Sequence, residues 1–252
     1  MQETAIYRCV FGDYDVVRPE RIVIGGADYY LFTDDPSLQV YPYRTVLVQD
    51  VSCGPSLTNR KLKIVLPPIM RTYDVTIYMD GNIVVLDDFS SLIEEYFASD
   101  ADIGLFRHPY HDSLEDELEL CVASGKCDEK ALRRELSHYS AMSLSDWKGL
   151  SENSILMRRR PSRRMDQAMS HWFDLVSSYT GRDQICLPLV RAKYQLREHF
   201  FRFSPRSLFN PYFVVYPHKH RNGSFSWRSA SKLYGKLAFK RLVGSLRQLA
   251  GA

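Results

Sequence analysis

The stretch Val75-Thr76-Ile77-Tyr78-Met79-Asp80-Gly81-Asn82 decides how the rest of the chain is read. Its first five residues form an apolar, β-prone run of the length of one buried strand. The run ends on Asp-Gly-Asn, so turn chemistry places two oxygen-bearing side chains, one glycine apart, on the rim of a sheet. In open α/β sheets that rim is where ligands usually sit.

Upstream, Thr4 to Val10 predicts a strand that exits into Phe11-Gly12-Asp13-Tyr14-Asp15. Asp28 to Thr33 predicts a second, closing on Asp34-Asp35-Pro36, and Tyr43 to Gln49 a third. Helical spacing runs from Leu57 to Leu66 and stops at Pro67-Pro68. Downstream, a short strand over Ile83 to Leu86, a helix over Ser90 to Ala98 and a strand over Ile103 to Arg107 continue the alternation. Residues 112–140 are charged and helical in character. Ile155 to Met157 predicts a further strand, entered from Gly149-Leu150-Ser151-Glu152-Asn153, and helices follow at Met165 to Ser178 and from Gly181-Arg182-Asp183-Gln184 onward. Tyr212 to Tyr216 is strand-like. Alternating strands and helices predict an α/β fold with a largely parallel central sheet flanked by helices.

The 252 residues suit one large domain, with 45% hydrophobic and 25% charged residues, which excludes general disorder. No apolar run is long enough to span a bilayer, and Met1-Gln2-Glu3-Thr4 leads into a strand without a basic segment, so neither a membrane span nor a signal peptide is expected. Five scattered cysteines without a CxxC pair fit reduced thiols, hence a cytoplasmic protein. The net charge of +3 conceals an asymmetry: residues 218–252 carry eight Lys or Arg and no acid, leaving 25 basic against 30 acidic residues before them. The expected division is a domain over 1–222 and a basic tail over 223–252. Lys232, Lys236, Lys240 and Arg247 recur on one helical stripe, with Tyr234, Ala238, Leu242, Leu246 and Leu249 on the opposite one. A basic amphipathic helix of this kind lies in an anionic bilayer interface or packs its apolar stripe on the protein itself. A mildly acidic main domain argues against a nucleic-acid-binding core.

Asp80 and Asn82 suit a hard divalent cation, Mg²⁺ or Mn²⁺, shared with substrate phosphates, although the same tripeptide is equally a plain turn with glycine at positive φ. Asp183 and Gln184 open a helix, where Asp is ordinarily a cap, or they point into the cleft, with Asp183 a base and Gln184 a partner for sugar hydroxyls. His218 and His220 share one face of an extended segment and either completes a metal site begun at Asp80, or contacts phosphate or solvent. Arg60 and Lys63, three apart, grip a diphosphate or form a solvated helix face. His108 and Glu152 stand at strand ends and are cleft candidates for that reason.

Taken in order, Phe11 to Asp15, Phe32-Thr33-Asp34-Asp35-Pro36, Asn59-Arg60-Lys61-Leu62-Lys63, Tyr78 to Ile83, His108-Pro109, Gly149 to Asn153 and Arg182-Asp183-Gln184 resemble a glycosyltransferase-like family once known only as a domain of unknown function, found in plant wall-polysaccharide and bacterial surface-polysaccharide proteins. The resemblance spans roughly residues 5–200. It implies a type A glycosyltransferase fold with a metal-binding acidic motif at Asp80, Gly81 and Asn82. It also implies a donor, a UDP-sugar first among candidates, bound by Phe11, Asp13, Tyr14, Asp34 and Asp35 near base and ribose and by Arg60 and Lys63 at the diphosphate. The acceptor would be a glycan or lipid-linked hydroxyl, and the tail over 228–252 would keep the protein peripheral on the inner membrane face. The usual acidic motif of the type A fold ends in a second Asp, and here that place is Asn82, which weakens cation binding, recruits His218 or His220, or hands the work to Arg60 and Lys63. A nucleotidyltransferase, or a non-catalytic module that binds sugar nucleotides or glycans, are the competing functions.

Overall fold

The computed structural model describes residues 3–108, 117, 121–123, 125, 128–140, 149–219, 235 and 238. A seven-stranded sheet forms the middle of the molecule. Strand β1 (Thr4–Val10) pairs in parallel with β2 (Ala27–Thr33) on one side and with β4 (Val75–Met79) on the other, and β3 (Arg44–Leu47) extends the sheet beyond β2. Strand β5 (Ile83–Val85) follows the acidic turn but leaves this sheet. Beyond β4 come β7 (Ser151–Arg159), β6 (Ile103–Arg107) and β8 (Glu198–Phe201), so the order is β3-β2-β1-β4-β7-β6-β8.

One strand is reversed. β7 runs antiparallel to both β4 and β6, which are its neighbours. It extends from 151 to 159, well past the Ile155–Met157 expected from its apolar centre, because its first residues are polar and carry no strand signature. Reversal brings that polar start to the rim where β4 ends: Met79 pairs with Ile155, and the Asp80 amide donates to the Ser154 carbonyl at 2.8 Å.

The sheet is covered on both faces. Odd residues of β1 (Ala5, Tyr7, Cys9) pack against helices α1 (Pro55–Ile64), α4 (Arg163–Ser178) and α5 (Asp183–Tyr194). On the other face Ile6 and Val10 pack with β4 residues Val75, Ile77 and Met79, with α2 (Ser90–Ala98), and with a small second sheet in which β5 pairs antiparallel with β9 (Phe213–Val215). Helix α3 (Glu129–Ser140) occupies part of the charged stretch expected to be helical. Edge strand β8 was not foreseen; its four residues, Glu-His-Phe-Phe, show no clean alternation.

Among the described residues Cys9, Cys53, Cys121 and Cys186 are free thiols. No helix among them is long and apolar enough to cross a membrane. His220, Pro109 and nearly all of the basic tail lie outside the described residues; of the tail only Gly235 and Ala238 are described, both helical and exposed.

Candidate functional site

At the carboxyl rim of β1 and β4 opens a cleft of about 800 Å³, lined from β4, β7, α1, the start of α5 and the segment after β9. Helix α1 brings the cations. It begins at Pro55 after Gly54, and the Asn59 amide donates to the Cys9 carbonyl at 2.6 Å, which fixes its first turns against the end of β1. Lys63 is not a solvated side chain. It is 2% exposed, and its ammonium lies 2.6 Å from Asp183 Oδ2 and 3.6 Å from Asp80 Oδ1. Arg60 donates from Nε to the Gly181 carbonyl at 3.3 Å, and the Asp183 charge beside it raises its pKa.

Asp183 is therefore no cap. Arg182 holds the cap position without a side-chain cap bond, and the Asp183 carboxylate is buried at the start of α5, facing Lys63. Burial pushes its pKa up, but Lys63 and Arg60 outweigh that and hold the carboxyl well below the usual carboxylate range. Asp80 accepts from the Tyr78 hydroxyl at 2.8 Å, and burial together with that carboxylate pushes the phenol's pKa well up. Gln184 accepts from Arg182 Nη2 at 2.8 Å, and the same guanidinium lies 3.5 Å from buried Glu117, which is 3.5 Å from His108. Glu152, 4% exposed, is paired with Arg206 at 2.9 Å.

The acidic turn is held from below by the chain's return. Asn82 donates from its amide to the Tyr216 carbonyl at 2.6 Å and accepts the Tyr216 N–H at its own carbonyl at 2.9 Å, which leaves Asn82 Oδ1 buried without a partner among the described residues. Two residues on, His218 Nδ1 meets Asp15 Oδ1 at 2.8 Å and its ring lies 4.9 Å from that of Tyr14. Gly81 is required by space rather than by a positive φ, contrary to the plain-turn expectation: a Cβ there would lie 2.7 Å from Val10 Cγ2 and 3.0 Å from Asp15 Cβ.

Most of the expected residues are thus brought together: Phe11, Tyr14, Arg60, Lys63, Asp80, Gly81, Asn82, His108, Glu152, Asp183, Gln184 and His218 all line the cleft. Asp13, Asp34 and Asp35 do not. Asp13 pairs with Lys219, Asp34 accepts the Gly12 amide at 3.1 Å, and Asp35 is engaged by the Ser37 amide and hydroxyl in a local turn, so all three serve loop structure. Lining residues to which the sequence assigned no role include Asn59, Tyr78, Glu117, Asn153 and Arg206. Tyr78 had a signal, since it lies two residues before Asp80 on the same face of a strand. Arg206 had none.

Among the described residues no three His, Cys, Asp or Glu side chains converge as a closed metal cage. An open site needs less, because a hard cation bound with a diphosphate takes most of its oxygens from phosphate and water. The Asp80 carboxylate and the unpartnered Asn82 Oδ1 are oxygen donors of the right kind, so the residues present fit such an ion.

A family model described as "TOD1/MUCI70, glycosyltransferase-like domain" matches residues 2–210. No curated protein matches the chain. Among solved structures, mouse xyloside xylosyltransferase 1 in its apo form aligns over 79% of this chain and 85% of its own, at 9% identity and a TM-score of 0.46. The apo bifunctional glycosyltransferase WbbM aligns over 79% of this chain and 39% of its own, at 8% identity and a TM-score of 0.46. A197 from STIV aligns at 9% identity over 79% and 81%, with a TM-score of 0.37.

Proposed function

The chain belongs to the TOD1/MUCI70 glycosyltransferase-like family, and from that premise we propose that it transfers a sugar from a nucleoside diphosphate sugar, a UDP-sugar in the first instance, to a hydroxyl of a glycan or lipid-linked acceptor. One observation carries the reading. Lys63 bridges Asp80 at the end of β4 and Asp183 at the start of α5, with Arg60 beside it, inside a cleft large enough for a nucleotide sugar.

In this reading the acceptor hydroxyl oxygen bonds to the anomeric carbon, and its proton passes to solvent or to the departing diphosphate. The bond from that carbon to the diphosphate breaks, and its electron pair leaves on the phosphate oxygen. Lys63 and Arg60 meet that charge in a partly enclosed site, where fixed cations stabilise far more than they do in water. Asp183, ionised and engaged by Lys63, is a weak base and serves to hold the ammonium in place. Gln184 and Asn153 offer hydrogen bonds to sugar hydroxyls, and Glu152, tied to Arg206, borders the same space. Asp80 and Asn82 would hold a Mg²⁺ or Mn²⁺ ion, with His218 lining the same cleft, and such an ion would supply further neutralisation of the diphosphate. The basic segment over 228–252 is the proposed contact with an anionic membrane surface, which in this reading is the inner face.

A thermal-shift series with UDP, GDP, CMP and their sugars, with and without Mn²⁺, tests the reading on the wild type and on Asp80→Ala. Stabilisation by one nucleotide class that is weakened in the variant is expected. Indifference to every nucleotide would overturn the proposal.

A further inference from the structure

Arg8 stands in an apolar layer. Its neighbours on the same face of β1, Ile6 and Val10, belong to the core, yet Arg8 is itself 1% exposed. Taking a guanidinium out of water is costly unless its N–H groups find acceptors and its charge a partner. The charge is met by Glu20, 6% exposed, whose Oε1 accepts from Nη2 at 2.5 Å and also from the Tyr43 hydroxyl at 2.5 Å, while Nε donates to that hydroxyl oxygen at 2.5 Å. An ion pair with Glu20 would already settle the charge.

The remaining nitrogen does something the charge does not require. Nη1 donates to the carbonyls of Asp80 and Ile83, each at 2.8 Å. These are the first and last residues of the acidic turn, which is closed by its own Ile83 N–H donating to the Asp80 carbonyl at 3.1 Å. We propose that Arg8 is a positioning residue: from inside the core it locks the backbone of residues 80–83, so that the Asp80 carboxylate and the Asn82 amide keep their places as a charged ligand enters and leaves. It touches no ligand. Two acceptors on one nitrogen, with a phenol and a carboxylate on the other two, need the planar fork of arginine, which the point charge of lysine does not reproduce. The functional consequence rests on the nucleotide-sugar reading of the cleft, whereas the lock itself does not.

The test compares the wild type with Arg8→Lys and with Arg8→Met/Glu20→Gln, which removes both buried charges at once and leaves Tyr43 an acceptor at position 20. Hydrogen exchange over residues 80–85 reads the lock, chiefly through the Ile83 amide, and calorimetric titration with UDP reads its consequence. The expected result is exchange about tenfold faster at 80–85 with β1 and β2 unchanged. UDP affinity should fall by about tenfold to a hundredfold, with Arg8→Lys intermediate. Wild-type exchange at 80–85 in a cooperatively folded variant overturns the lock, as does loosening spread evenly over β1, β2 and β4. Faster exchange with undiminished UDP affinity overturns the positioning role. Should the wild type itself not bind UDP, the reading of the cleft falls, and the exchange comparison still decides the lock. Where the double variant does not melt cooperatively, Arg8→Lys carries both measurements.

Discussion

At Gly81 a methyl group has nowhere to go, since it would meet Val10 from the end of β1 and the backbone-proximal carbon of Asp15. Gly81→Ala is therefore expected to cost about 1–3 kcal/mol of stability, as overpacking does, and to weaken nucleotide binding as the turn shifts. Calorimetric melting of the variant checks this, and an unchanged transition would mean that the turn moves freely. Asp183 gives a second prediction, with a pH signature. Its folded pKa is depressed, so the ion pair's contribution is present above the unfolded value, about 3.9, and is lost as pH falls through the folded one. Asp183→Asn leaves the buried Lys63 ammonium only the more distant Asp80 carboxylate, at 3.6 Å, and should destabilise by about 3 kcal/mol. Urea unfolding from pH 8 downward should show that gap constant to about pH 4 and shrinking only below it. A gap that closes by pH 6 would place the carboxylate's stabilisation elsewhere. Strand exits show where reading a sequence stops. An Asp at the end of an apolar strand locates itself, and Asp80 was legible for that reason. Asp34 and Asp35 had the same signature but are used by their own loop, because a side chain's direction at a strand exit depends on a turn that no local pattern fixes.

Element by element, alternation was legible and reversal was not. The apolar centre of β7 announced a strand, but its direction is set by what β6 and β4 leave open, and that is tertiary information. The reversal is what makes Glu152, Asn153 and Ser154 neighbours of Asp80. The pairing of β5 with β9 was equally hidden, since each is three residues long and they lie about 130 residues apart. That pairing explains the neutral Asn82. The returning strand presents the Tyr216 carbonyl at 2.6 Å from the side-chain nitrogen of residue 82, a place that only a donor satisfies. Introducing a second acid by Asn82→Asp should accordingly not improve the site: two oxygens would face each other, at an expected cost of about 1–3 kcal/mol. Melting curves together with Mn²⁺ titration in the presence of UDP decide it. A variant that binds Mn²⁺ more tightly with undiminished stability would show that the strand yields and that Asn82 is a matter of tuning.

For the whole molecule, charge is divided sharply along the chain. Residues 1–217 carry a balance of −5, whereas the last 35 carry eight cations without an acid. A protein so divided approaches an anionic surface by one end, with its body weakly repelled and its tail attracted by about 1 kcal/mol for each cation that reaches the surface. Because the attraction is screened over about 8 Å at physiological ionic strength, it should weaken steeply with salt, unless apolar side chains of the tail also enter the bilayer and hold it there. Vesicles of phosphatidylcholine with and without phosphatidylserine separate these terms. The full chain is expected to float with anionic vesicles at low salt and to stay behind with neutral ones, and a chain ending at residue 227 should float with neither. Residual flotation in roughly 1 M salt would assign the remainder to the stripe of Tyr234, Ala238, Leu242, Leu246 and Leu249, since at that ionic strength the screening length has fallen to about 3 Å. If full and shortened chains both remain in the aqueous phase, the tail's charge serves something other than a membrane. The acceptor is then to be sought first among soluble glycans, since this tail would not hold the cleft near lipid.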